Sequence, residues 1–144
     1  MVVRWTWMLA ILMPLVCVWG AGSLFWILTE RSHVIPQITG TWVINSAMVA
    51  VPFCFLAAWE ARASRVQDDR FCRSFIGAGA LGALCTLVFW GAFYYEGYSY
   101  WANRKTSGVN MGAACLMLLS PLAVIAVMVV GRWLFARSSS RRAA

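Results

Sequence analysis

Apolar residues run in four long blocks along this chain, Trp5–Leu28, Thr41–Trp59, Phe75–Tyr95 and Val109–Gly131, parted by short charged connections. None of the blocks contains Asp, Glu, Lys, Arg or His. A helix needs about 20 apolar residues to cross a hydrocarbon core of about 30 Å, and every block is close to that length or beyond it. The pattern predicts an all-α polytopic membrane protein, with four transmembrane helices packed as a small bundle. It forms a single domain whose last residues, 132–144, make a short basic tail. The longest polar segment, Glu60–Ser74, is 15 residues and leaves no room for a soluble domain.

Within the third block, Ser74, Ala78 and Gly82 recur every four residues, as do Gly79 and Ala83. Small residues at that spacing give a face on which another backbone approaches closely, in the same molecule or in another subunit. The same stretch, Gly77-Ala78-Gly79-Ala80-Leu81-Gly82, has the letters of a dinucleotide fingerprint. That fingerprint needs a preceding strand and a helix start open to water, and a membrane helix supplies neither. Polar residues inside the blocks are sparse: Asn45, Ser46, Thr86, Asn110 and Ser120. Each serves either as a hydrogen bond between helices or, for Asn45, Thr86, Asn110 and Ser120, as the lining of a polar path. Pro14, Pro52 and Pro121 each remove a backbone donor and are expected to bend their helices, with Ser120 placed to satisfy a carbonyl that Pro121 frees.

Aromatic residues concentrate at the block ends. Trp5, Trp7, Trp59, Phe71, Phe75, Trp133 and Phe135 suggest one interfacial belt, and Phe25, Trp26, Trp42, Trp90 and the run from Phe93 to Trp101 a heavier one at the other interface. Such rings put an apolar body in lipid and a polar tip at the headgroups. The run Tyr94, Tyr95, Glu96, Tyr98, Tyr100 and Trp101 exceeds what anchoring requires and is a candidate partner-binding surface.

Composition agrees with this picture: 62% of residues are hydrophobic and the mean hydropathy is +0.72. The net charge of +7 changes it only by giving orientation. Arg4, Arg62, Arg65, Arg70, Arg73, Arg132, Arg137, Arg141 and Arg142 fall on one side of four alternating spans, and Arg31, Arg104 and Lys105 on the other. The asymmetry puts both termini in the cytoplasm, and arginine-heavy usage points to a bacterial inner membrane. Cations beside spans meet anionic lipid, so no nucleic-acid partner is expected. The first block has a charged start and small residues at Gly20–Gly22, yet it runs on to Leu28, too long for an ordinary signal sequence; it is expected to stay as a helix.

The candidate chemistry is thin. Glu30, Glu60, Asp68, Asp69 and Glu96 all fall at interfaces or in connections by this reading, which argues against proton-coupled transport. The lone histidine, His33, falls in a connection and cannot supply a pair of haem ligands. Cys17, Cys54, Cys72, Cys85 and Cys115 have neither metal-like nor redox spacing and are read as packing residues. Neither an enzyme, nor a cofactor, nor a metal site is expected.

Two short elements are similar to the fluoride channels, which are small four-helix proteins. Gly40-Thr41-Trp42-Val43-Ile44-Asn45 resembles their GT-x-x-x-N element, and Gly79 to Thr86 resembles their glycine-rich third helix. Leu87-Val88-Phe89 stands where their phenylalanine box would follow, the first-helix arginine is missing, and the one-sided charge opposes dual topology. The resemblance assigns no family. The function expected is a non-catalytic accessory subunit or interaction partner in a larger membrane assembly. Its partners are then the lipid bilayer and other membrane-protein subunits or itself. A small homo-oligomeric channel or transporter is the alternative.

Overall fold

The computed structural model describes the backbone of residues 2–29, 35–63, 69–102 and 111–141, with side chains for 5–29, 40–63, 73–102, 115 and 117–137. These residues are helical almost throughout. The first span is built in three pieces: α1 (Val2–Pro14), a π-helical stretch (Leu15–Gly20) and α2 (Ala21–Leu28). The other spans are single helices, α3 (Ile35–Ala63), α4 (Asp69–Ala102) and α5 (Met111–Arg141). Four helical segments are long and apolar enough to cross a membrane, Trp5–Leu28, Gly40–Ala63, Arg73–Ala102 and Met117–Arg137. The chain is a multi-pass bundle of four such helices.

The helices outrun the apolar blocks. At 1.5 Å per residue the 34 residues of α4 reach about 51 Å, well beyond a hydrocarbon core of about 30 Å. Tyr98, Tyr100 and Trp101, beyond the third apolar block, lie on the last turns of α4 and not in a connection, and α5 runs on through Arg141 into the basic tail. Hydropathy marks where a chain can meet lipid, but a helix stops only where its backbone bonding stops.

Pro14 explains the broken first span. It has no N–H for the carbonyl four residues back, and its ring crowds that carbonyl. Widened i→i+5 bonding takes over directly after it, and the N–H of Ala21 reaches back to the carbonyl of Val16. At Pro121 the repair is made by a side chain. Pro121 cannot bond to the carbonyl of Met117, and the Ser120 hydroxyl donates to that oxygen at 2.7 Å.

Neighbouring spans pair as hairpins: α1 packs chiefly on α3, and α4 on α5. Contacts of α1 with α4 and of α3 with α5 close the ring. Each span presents one buried stripe at helical spacing. Thr6, Ala10, Met13 and Cys17 form it on α1 and the π-helical stretch; Val49, Phe53, Leu56 and Glu60 on α3; Ser74, Ala78, Gly82, Thr86 and Trp90 on α4; Ser120, Val124, Met128 and Gly131 on α5. Phe53, Leu56, Val124 and Met128 are among the bundle's most deeply buried side chains. Leu12, Ile44, Leu84, Val88 and Leu122 project outward, as a lipid-facing surface requires.

Glycines set how closely the hairpins approach. A Cβ on Gly131 would stand 2.7 Å from Leu81 Cδ1, and one on Gly82 would stand 2.8 Å from Met128 Cγ. A Cβ on Gly79 would meet Leu9 of α1 at 3.2 Å. The small-residue face of α4 thus meets α5 along one edge and α1 along the other, within one molecule. Three aromatic residues assigned to the interfacial belts turn inward instead: Phe75 is fully buried, Trp42 is 5% exposed and Trp90 3%. Cys115 departs the other way and faces outward, whereas Cys17 is buried.

Candidate functional site

The four buried stripes end together at the arginine-rich end of the bundle, and there the core turns polar. Thr6 on α1, Glu60 on α3 and Ser74 on α4 are 0%, 2% and 2% exposed, and Arg132 on α5 is half-buried beside them in sequence register. Glu60 and Arg132 each lie one residue past an apolar block, which is why the hydropathy pattern passes over them. Both fall inside the membrane-length spans of the folded chain. Glu60, read from the sequence as part of a polar connection, is a buried bundle residue.

The Thr6 hydroxyl donates to Glu60 Oε2 at 2.8 Å. The second carboxylate oxygen, Oε1, is buried with no hydrogen-bond partner among the described residues. Leaving a buried polar atom unpaired costs about 1–3 kcal/mol, and more for a charged group. Arg132 is held by a different device. Its guanidinium carbon stands 4.1 Å from the centre of the Trp59 ring and 4.6 Å from that of Phe75. Those rings meet edge to face at 5.7 Å and 85°, so they form a corner in which the cation rests on two π faces. Trp59 and Phe75 therefore serve as a cation seat as well as core packing. The arrangement puts a carboxylate and an arginine cation at one end of the bundle. Among the described residues no group of His, Cys, Asp and Glu is disposed to bind a metal.

Of the candidate path residues, Thr86 and Ser120 are buried and Asn45 is half-buried. The Thr86 hydroxyl donates to the carbonyl of Gly82 in its own helix at 2.8 Å, and the Ser120 hydroxyl is taken up beside Pro121. Asn45 is half-buried, and its neighbour Ser46 accepts a hydrogen bond from Trp19 Nε1 at 3.0 Å, tying the π-helical stretch to α3. Asn110 lies outside the described residues.

At the opposite end, the candidate partner-binding run divides. Tyr94 turns into the bundle, with its ring 5.6 Å from Phe25 and 6.0 Å from Trp90. Gly22 makes space for it: a Cβ there would stand 3.0 Å from the Tyr94 hydroxyl. Tyr95 is 72% exposed and Glu96 is also exposed, while Tyr98 lies against Trp101 with ring centres 5.6 Å apart and tilted by 40°, and Tyr100 is half-buried. Helical spacing separates Tyr94 from Tyr95, a distinction a list of aromatic residues does not contain. The packing residues Ser74, Ala78, Gly79 and Gly82 are all buried, and Ala83 is half-buried.

Compared with protein families, curated proteins and solved structures, the chain finds no match.

Proposed function

We propose that this chain is a non-catalytic membrane bundle, an accessory subunit or interaction partner within a larger membrane assembly. In this reading it lies in a bacterial inner membrane with both termini in the cytoplasm, on the strength of the arginine asymmetry. It needs no cofactor and binds no nucleic acid. The observation that carries the reading is the fate of the polar residues. Thr86 and Ser120 spend their hydroxyls on carbonyls of their own helices, and large side chains fill the bundle centre. What the molecule offers outward is apolar helix surface along its length and exposed tyrosines at one end.

The test is purification in mild detergent, followed by the combined substitution of Tyr95, Tyr98 and Trp101 by Ala. A stoichiometric partner that the triple variant loses, with membrane insertion intact, supports the proposal. Full retention of that partner makes the segment an anchor only.

A second reading, a homo-oligomeric channel or transporter, is favoured by one observation, the buried Glu60 inside the bundle. Intramembrane carboxylates mark ion and proton pathways in many membrane proteins. Ion flux in liposomes holding this chain alone, abolished by Glu60→Gln, would put that reading first.

A further inference from the structure

Asn45 stands on α3 among apolar residues, and its amide bonds nothing in its own bundle. The adjacent Ser46 takes the Trp19 indole N–H at 3.0 Å. Among the described residues, however, none hydrogen-bonds the Asn45 amide or the hydroxyl of Thr41, one turn away. Thr41 is exposed, and Asn45 and Met48 are half-buried, so these three, spaced four and then three apart, form a strip along the edge of the bundle. Ile44, beside them, is 64% exposed. Three features decide what covers the strip.

The first is depth. Glu60 closes the buried stripe of α3 at its inner end, and Asn45 precedes it by 15 residues, a rise of about 22 Å. A hydrocarbon core is about 30 Å thick, so the amide lies at the level of lipid chains and not at the outer headgroups. Lipid chains offer it neither a donor nor an acceptor, and a polar group left in that state is costly. The second is chemistry. A side-chain amide both donates and accepts, so it is its own complement: two facing amides exchange a pair of N–H···O bonds. The third is symmetry. The one-sided arginine charge gives every copy the same orientation in the reading proposed above. The two-fold axis of a pair then runs along the membrane normal, and a residue near the axis meets its own counterpart at equal depth. In an antiparallel pair the two amides would differ in depth by about 15 Å, beyond hydrogen-bonding reach.

From these we infer that two copies of this chain pair through the outer half of α3, the Asn45 amide of each hydrogen-bonded to the partner's Asn45. Thr41 and Met48 flank the amides along the same strip. A single Asn in a helix seam fixes its register, because any slip along the helix leaves both amides unbonded. Pro52, one heptad past Asn45, is fully buried in the bundle, which confines the contact to the outer half. The pairing rests on the shared orientation proposed above and holds whether the chain serves as a subunit or a transporter.

The experiment labels the full chain at its C-terminus with donor or acceptor fluorophores and follows energy transfer in liposomes as the lipid-to-protein ratio is varied. Transfer is expected to rise with protein density along a dimer isotherm. Asn45→Leu should weaken association about five- to thirty-fold and leave helicity unchanged, because the amide bonds nothing within the chain. A second arm does not depend on that variant. Thr41→Cys in a Cys115→Ser background should give a disulfide-linked dimer on oxidation in the membrane, and Gly91→Cys, on the outward face of α4, should not. A chain that stays monomeric at every density overturns the proposal, as does association that Asn45→Leu leaves unchanged. Linkage through Gly91→Cys without linkage through Thr41→Cys puts the contact on α4 and overturns it too. A foreign subunit that Asn45→Leu releases, from a chain that does not self-associate, overturns it in favour of that subunit. Mixed insertion seen with a C-terminal reporter fails the orientation reading itself, and the Thr41→Cys linkage tells that failure apart from failure of the contact.

Discussion

Gly82→Ala adds one methyl group where α4 and α5 are closest, and the outcome follows from the geometry. The new Cβ would overlap Met128 Cε and lie 2.8 Å from Cγ and 3.2 Å from Sδ. The terminal methyl of a methionine swings aside easily, but Cγ is next to the root of the side chain and moves only if χ1 changes. Met128 is fully buried, so there is no open space for that movement. Overpacking of this kind costs about 1–3 kcal/mol. Gly91→Ala is the control. It lies on the same helix, faces outward, and its added Cβ would meet nothing within 4 Å. Both substitutions gain the same intrinsic helix propensity, up to about 1 kcal/mol, so that contribution cancels between them. The two variants should differ by the overpacking cost alone. Equilibrium unfolding in mixed micelles of mild detergent and sodium dodecyl sulfate, followed by helicity, reads the difference. Adding Met128→Ala should relieve Gly82→Ala and leave Gly91→Ala unchanged, a coupling of about 0.5–3 kcal/mol. If Gly82→Ala and Gly91→Ala are equally stable, the close contact between α4 and α5 is refuted.

The remaining expectations concern the polar end, the outer edge of the same interface and the orientation. Thr6→Val should destabilise the bundle by about 1–3 kcal/mol, because it takes away the hydrogen bond to Glu60 Oε2; in a Glu60→Leu background the same change should be near neutral, and equal costs in both backgrounds would exclude the bond as the cause. Arg132→Met should cost about 1–2 kcal/mol through loss of the cation on Trp59 and Phe75, and a double-mutant cycle with Trp59→Leu that shows no coupling would contradict it. Gly77→Ala should cost less than Gly82→Ala although its Cβ would stand 2.6 Å from the Phe135 ring, because that ring is 40% exposed and has room to turn; the same unfolding assay ranks the two. A reporter fused after Ala144 should register the cytoplasm, from the nine-to-three division of basic residues, and an external signal would reverse the orientation.

Membrane residence and the number of spans were legible in the sequence because they depend on composition over windows of about 20 residues, and no tertiary detail changes that sum. Spacing of four along a helix places Ser74, Ala78 and Gly82 on one side whatever that side meets, and all three are buried in the bundle. What it meets was not legible. Only the fold selects Met128 and Leu81 as the contacts across the α4–α5 interface, since the choice depends on how four cylinders are arranged. The repair at Pro121 could be read locally because Ser120 and Met117 are neighbours in the chain, whereas the widened bonding after Pro14 is one of several ways to absorb a missing donor. Span edges misled the reading in one consistent direction. Hydropathy stops at Trp59 and Gly131, so Glu60 and Arg132 read as boundary charges, although both helices continue through them, with Glu60 in the buried stripe of α3 and Arg132 half-buried. The same ambiguity governs the aromatic residues, since a tryptophan at a span end is interfacial or core according to its azimuth on the helix. Trp42, Trp90 and Tyr94 were decided by packing against other spans. By itself, then, the chain determined that it forms four helices apolar and long enough to cross a membrane, because transfer from water is an additive property of the residues. Which polar and aromatic groups share the interior was decided by the tertiary structure, because that depends on the rotation of each helix about its own axis, and rotation is set by contacts between residues far apart in sequence.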